Sequence, residues 1–245
     1  MNEDKLRKME EGGQILAKIL TELKEETCPG IETKKLDELA RKLCLKYRVR
    51  PSFLGYEGYP ASLCVSINEE VVHGIPGKKT IHEGDVVSLD FGVFYEGYHT
   101  DAAISYGVGQ IKEESKKLLT VTEKALYFGI EEARPGHRIG DIGAEIQGFV
   151  EDNGFKIVRA LVGHGVGKKL HEEPLIPNYG QRGTGPLIKE GMTLAIEPMV
   201  AVGTHEVVLE EDNWTYRSKD RSLVAHFEHT IFVSANGPIV LTNNL

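Results

Sequence analysis

Residues 86–105 read VVSLDFGVFYEGYHTDAAIS. Val86, Val87, Leu89, Phe91 and Val93 give residues 85–94 the apolar content of a buried strand, Tyr95-Glu96 supply a tight turn, and residues 97–106 read as a second strand. Two acids interrupt this pattern, Asp90 and Asp101. A turn centred between Tyr95 and Glu96 would make them direct cross-strand partners on one face, with Cβ atoms about 4.5–5.5 Å apart. A one-residue bulge at Gly97 would loosen that register without separating them far. Carboxylates so placed repel unless one keeps its proton or a divalent cation lies between them. A solvated sheet face with two unrelated aspartates is the alternative, and the hairpin alone does not choose.

Upstream of the hairpin, Leu6, Met9, Ile15, Leu16, Ile19, Leu20 and Leu23 recur at helical spacing, and Pro29-Gly30 stops that helix. Thr33 is the expected N-cap of a second helix carrying Leu36, Leu39, Ala40, Leu43 and Tyr47. A Gly/Tyr/Pro-rich loop follows, then short strands near 62–68 and 70–73. Downstream the order repeats. Helices are expected over about 113–132 and 139–151, then strands near 156–162, 192–200, 206–210 and 223–233. The fold class is therefore α+β, with an antiparallel sheet and two halves, about 1–109 and 112–245, related by a pseudo-two-fold. The linker between them is too short for independent units, so residues 1–245 are expected to form a single domain. No residue-level repeat supports the duplication, which rests on element order.

Composition narrows the function classes. The chain has 245 residues, a net charge of −8, 40% hydrophobic and 27% charged residues, which excludes a disordered or fibrous protein. The acidic balance argues against nucleic acid or an anionic membrane surface as the main partner. No apolar stretch approaches the roughly 18 residues of a membrane span, and the charged N-terminus has no signal-peptide core. Cys28, Cys44 and Cys64 are odd in number and form no CxxC pair, which fits a reducing cytoplasmic location.

The second half supplies two more acids inside apolar strands, Glu197 in MTLAIEPMVA and Glu228 in SLVAHFEHTIFV. Buried glutamates are expensive unless paired or metal-bound. Between the two pairs of acids lies LVGHGVGKKLHEEP, with His164 between glycines and His171 seven residues on. Each histidine alone is as well explained by an ordinary polar role. As a set, Asp90, Asp101, His164, Glu197 and Glu228 offer four negative charges and one neutral nitrogen, which two divalent cations would balance. Oxygens plus one imidazole suit manganese, iron(II), cobalt or catalytic zinc.

The segments SINEEVVHGIP, VVSLDFGVFYEGYHTD, GHGVGKKLHEEP, LAIEPMV and FEHTIFV resemble, in order, the motifs of methionine aminopeptidases, most closely type I. The resemblance covers nearly the whole chain and implies the pita-bread fold of two related halves around a central antiparallel sheet. It implies that Asp101 and Glu228 bridge two metals, that Asp90 completes one site, and that His164 and Glu197 complete the other. His73 and His171 would contact the peptide beside the scissile bond, and Tyr56, Tyr59, Cys64 and Trp214 would form the methionine pocket. Phe53 and Leu170 depart from the family's usual residues and change that pocket's shape. The implied activity is removal of the initiator methionine, with preference for a small second residue. A two-metal-activated hydroxide would attack the carbonyl, with Glu197 moving the proton. The implied partners are nascent polypeptide N-termini, with a transient ribosome contact, no nucleic-acid specificity, no membrane, and a monomeric state.

A proline-directed relative on the same fold is the nearest rival. Such enzymes usually carry a preceding domain, whereas few residues precede the first helix here. A non-catalytic binding protein would be expected to lack ligands that this chain retains, and a two-metal nuclease would need a basic stripe that it lacks. His82, His99, His137, His205, His226 and His229 have no motif role.

Overall fold

The computed structural model describes residues 3–243. Its four helices come in two pairs, α1 (Glu3–Glu26) with α2 (Thr33–Tyr47), and α3 (Glu113–Glu132) with α4 (Ile139–Asp152). Thr33 is not the cap of α2. Glu32 holds that position, and the Thr33 hydroxyl instead accepts a 2.8 Å hydrogen bond from the Gly77 N–H. That bond ties the helix start to the loop after His73.

Seven strands lie side by side in one antiparallel sheet, in the order Arg50–Pro51, Val86–Tyr95, Tyr98–Gly107, Glu228–Ser234, Thr193–Ile196, Gly163–Gly165 and Glu172–Ile176. Cys64–Ile67 also pairs with Val86–Tyr95, and Gly237–Val240 with Glu228–Ser234. Strands of both halves meet where Glu228 opposes Ala103 and His229 opposes Ala102. Each half buries its own apolar face. Val87, Leu89, Phe91 and Val93 pack with α1 and α2, while Leu194, Ile196, Ile231 and Val233 pack with α3 and α4. Alternation then leaves Ser88, Asp90 and Gly92 on the opposite face of their strand.

The hairpin register differs from expectation. Pairing runs without a bulge from Val86↔Gly107 to Tyr95↔Tyr98, leaving a two-residue turn. Its residues, Glu96 and Gly97, have φ of 44° and 93°, the double positive φ of a type I′ turn whose twist matches the strands. Asp90 therefore opposes Ala103, and Asp101 opposes Gly92. The acids are diagonal rather than direct neighbours. Because the displacement is two residues, they keep a common face.

Two expected strands are interrupted. The 192–200 segment divides into Thr193–Ile196 and Met199–Ala201, and the 223–233 segment into Val224–His226 and Glu228–Ser234. Pro198 has no N–H to continue a ladder. Met199–Ala201 and Val224–His226 instead pair with each other, and Lys156–Ile157 completes this second, three-stranded sheet. Glu197 and Glu228 thus sit at the seam between two sheets. Only residues 156–157 of the expected 156–162 strand are extended and paired, and residues 160–162 line a cavity. Arg50–Pro51, Glu172–Ile176, Tyr216–Ser218 and Gly237–Val240 are strands whose composition gave no signal.

Gly92, opposite Asp101, has no room for a side chain. A Cβ there would lie 2.7 Å from Ser52 Cβ and 2.8 Å from Phe53 Cε1. Gly92→Ala is expected to destabilise the fold by about 1–3 kcal/mol, seen as a lower urea midpoint at unchanged m value.

Candidate metal centre

Two rows of residues run side by side across the sheet, two residues apart on the strands they share. In one, Cys64, Asp90, Ala103 and Glu228 stand opposite one another on successive strands. In the other, His164 opposes Ala195, and Ala195 opposes Thr230. The Thr230 hydroxyl accepts from Asp101 N–H and donates to Asp101 C=O, both at 2.8 Å, which extends that row to Asp101. Adjacent strands are about 4.8 Å apart, so Ala103 is a small spacer between Asp90 and Glu228, and Ala195 one between His164 and Thr230.

Glycine lets the His164 strand fit. A Cβ on Gly163 would stand 2.4 Å from Ala195 O, and one on Gly165 would stand 2.3 Å from Glu173 O. Ligand atoms of Asp90, Asp101 and Glu228 lie within 4.8 Å of one another, as do those of His164, Glu197 and Glu228. Glu228 belongs to both groups. A third group joins Asp101, His164 and His171 at the same spacing.

One cavity of about 380 Å³ is lined by all five of these acids and histidine, and also by His73, His171, Tyr56, Tyr59, Cys64 and Trp214. Phe53 and Leu170 line it too, buried beside Tyr59 and Cys64. Glu57, Leu161, Leu175 and Met199 are further lining residues that no motif singled out. Nor did spacing indicate that Tyr56 OH lies 2.9 Å from His171 Nδ1, or that Asn178 Nδ2 donates to Glu197 O at 2.9 Å. These contacts join residues far apart in sequence.

The electrostatics of the cluster are unbalanced by protein alone. No lysine or arginine among the described residues lines the cavity. Burial, with repulsion from Asp101, holds the Asp90 carboxyl well above its ordinary range, and burial with repulsion from the neighbouring acids does the same for Glu197 and Glu228. Burial pushes Asp101 up to about 7. Asp90 Oδ1, Asp101 Oδ1 and Glu228 Oε1 are buried without a hydrogen-bond partner among the described residues.

The histidines are held neutral. Burial lowers His164 to about 3 and His73 to about 4, in each case reinforced by His171. His164 Nδ1 lies 2.9 Å from the Gly165 carbonyl and must donate to it, so the neutral ring keeps a bare lone pair on Nε2. That nitrogen faces Glu197 Oε1 at 3.6 Å. Two acceptors confronting each other in a buried site call for a proton or a cation between them, as do the orphaned carboxylate oxygens. The donor set fits hard or borderline divalent metal ions.

The chain belongs to metallopeptidase family M24, whose model matches residues 7–235. It is 50% identical over 234 residues to methionine aminopeptidase 1 of Bacillus subtilis, covering 96% of this chain and 94% of that one. It is 47% identical over 241 residues to a methionine aminopeptidase of Clostridium perfringens, covering 98% and 97%. The crystal structure of a methionine aminopeptidase from Thermotoga maritima superposes with a TM-score of 0.97 at 46% identity, covering 99% of this chain and 98% of that one. A Pyrococcus furiosus prolidase shares the fold at a TM-score of 0.78 and 21% identity, covering all of this chain and 65% of that one. The architecture is the pita-bread α+β fold.

Folding raises the carboxyl pKa values, so the metal-free native state binds protons that the unfolded chain does not. The contribution of these carboxyls to its stability is fully present below about pH 4, the unfolded aspartate value, and is lost as pH rises through the folded value of about 7 at Asp101. Divalent ions replace those protons. The rise in Tm when Mn²⁺ is added to chelator-stripped protein should therefore be larger at about pH 7.5 than at about pH 5; equal increments at both would contradict the site.

Proposed function

We propose that this chain is a methionyl aminopeptidase that removes the N-terminal methionine from nascent proteins and peptides. The observation that carries the reading is a single cavity holding a buried cluster of four carboxylates and an imidazole beside an aromatic-walled pocket. Asp90, Asp101 and Glu228 would hold one divalent ion. His164 and Glu197, with Asp101 and Glu228, would hold a second. Manganese, iron(II), cobalt and zinc all suit the donors. Bound ions supply Lewis acidity for the scissile carbonyl and lower the pKa of attacking water.

The chain's own groups do the rest. Tyr56, whose hydroxyl burial keeps protonated, lies 2.9 Å from His171 Nδ1 and would donate to it, leaving Nε2–H as the outward donor. That donor suits a carbonyl oxygen on which charge develops. Glu197 would take the proton of the attacking water and return it to the leaving amine. His73, at φ 60°, stands in a conformation that non-glycine residues rarely adopt, which fits a residue fixed for seating the second residue of the peptide. The methionine side chain would enter between Phe53, Tyr59, Cys64, Leu170 and Trp214. Tyr59 OH is committed to the Leu63 and Gly74 carbonyls and burial keeps the Cys64 thiol neutral, so this end is apolar and suits a thioether. Requiring a free amine beside the acids confines cleavage to the chain end, and the flanking histidines favour a small second residue.

Several broader features belong to the same reading. Residues 1–245 act as one catalytic domain, since the central sheet passes through both halves. No helix of the described residues is long and apolar enough to cross a membrane. A cytoplasmic monomer meeting N-termini as they leave the ribosome, through a transient contact and without nucleic-acid specificity, fits the net charge of −8.

With Mn²⁺, Co²⁺ or Fe²⁺ supplied anaerobically, the protein should hydrolyse Met-Ala-Ser and leave Xaa-Pro peptides intact; the reverse preference would overturn the assignment. Asp101→Asn should abolish metal-dependent turnover in a folded protein, and near-normal activity with stoichiometric metal would remove its bridging role. His171→Ala should lower kcat by about 10²–10³-fold, the usual loss of an oxyanion donor, with metal content unchanged; loss of metal would make His171 a ligand.

A further inference from the structure

His226 is 1% exposed, and neither of its ring nitrogens has a hydrogen-bond partner among the described residues. It is outside the cavity lining and outside every group of potential ligands. Its backbone is fastened at both ends. The His226 N–H donates to Ser105 Oγ at 2.9 Å, Ser105 Oγ lies 2.7 Å from His226 O, and Ser88 Oγ stands 2.6 Å from Ser105 Oγ. Across the second sheet it opposes Met199, so it lies two residues from Glu228 in sequence and beside the strand that leaves Glu197.

The ring points at one atom. His226 Nε2 is 3.5 Å from Glu197 Oε2, while His164 Nε2 is 3.6 Å from Glu197 Oε1. The two imidazoles therefore address different oxygens of one carboxylate, and they are not equivalent. His164 has its ring N–H committed to the Gly165 carbonyl, so it meets Oε1 as an acceptor. His226 has no such commitment and can carry its N–H on Nε2. A displacement of about half an ångström would bring that contact into hydrogen-bond range.

We infer that His226 is a positioning residue that donates Nε2–H to Glu197 Oε2 and so turns Oε1 toward the space it shares with His164 and Glu228. The inference rests on the metal reading of the proposed function. It concerns how Glu197 is aimed at the seam, where the strand ends and no ladder neighbour holds it. Outer partners of this kind orient a ligand and raise its affinity for the ion.

The test is Co²⁺ binding, followed by calorimetry and visible absorption, for the full chain and three variants. His226→Phe and His226→Met are two apolar fillings without a donor, and His226→Gln keeps an N–H. Metal-free Tm measures packing separately. Whichever apolar variant folds should bind cobalt about 10–100-fold more weakly in one of its two steps, with the other step unchanged and an altered absorption spectrum. His226→Gln should restore affinity and spectrum. Wild-type binding in the apolar variants overturns the inference, as does a loss that glutamine fails to rescue, which would assign His226 to packing alone. A wild-type protein that takes up no cobalt overturns the metal reading as well as the inference.

Discussion

Four carboxylates enclosed together, with no cationic side chain among them, are the constraint on which this fold turns. Burial and mutual repulsion raise all of them above their ordinary range except that Asp101 is raised by burial alone. Such a cluster is an unstable arrangement for protein groups by themselves, and much of the surrounding structure serves to hold it. Ala103 stands as a small residue between Asp90 and Glu228, Ala195 does so between His164 and Thr230, and Thr230 clasps the Asp101 backbone. The glycines flanking His164 bring its strand close to its neighbours. Divalent ions would supply the missing positive charge, which makes the cluster the candidate metal centre of the fold.

Neither half of the chain can build this centre alone. Asp90 and Asp101 come from the hairpin packed on α1 and α2, whereas His164, Glu197 and Glu228 come from strands around the second helix pair. The halves join through Glu228↔Ala103 and its neighbour pair, which places the ligands of each half within reach of the other. Beside the acids the cavity changes character. Phe53, Tyr59, Cys64 and Leu170 form an apolar end, and His171, tied to Tyr56, stands between the two environments. Charge is confined to one end and desolvated apolar surface to the other, as a peptide with an amine and a thioether side chain requires.

Much of the fold was legible because helical periodicity and turn chemistry are local. Both helix pairs stand where apolar spacing predicts them, and Glu96-Gly97 makes the hairpin turn. The register of that hairpin was two residues off, because Tyr95-Glu96 and Glu96-Gly97 are both reasonable turn centres and only the second has the paired positive φ of type I′. The common face of Asp90 and Asp101 survived the error because side chains repeat every second residue. Strands of two to four residues, such as Tyr216–Ser218, escaped because so short a segment has no period to read.

The sequence by itself singled out the residues that the fold gathers in one cavity, since an acid inside an apolar strand and a histidine between glycines are local signals. It also determined their order along the chain and the faces on which the two aspartates lie. The tertiary structure alone decided the side-by-side alignment of the rows through Ala103 and Ala195, the interruption at Glu197-Pro198 that creates the seam, and the contact between Tyr56 and His171. It alone brought His226 against Glu197. Those features depend on which strands become neighbours, and neighbour choice follows from the packing of two distant apolar faces rather than from any pattern within one segment.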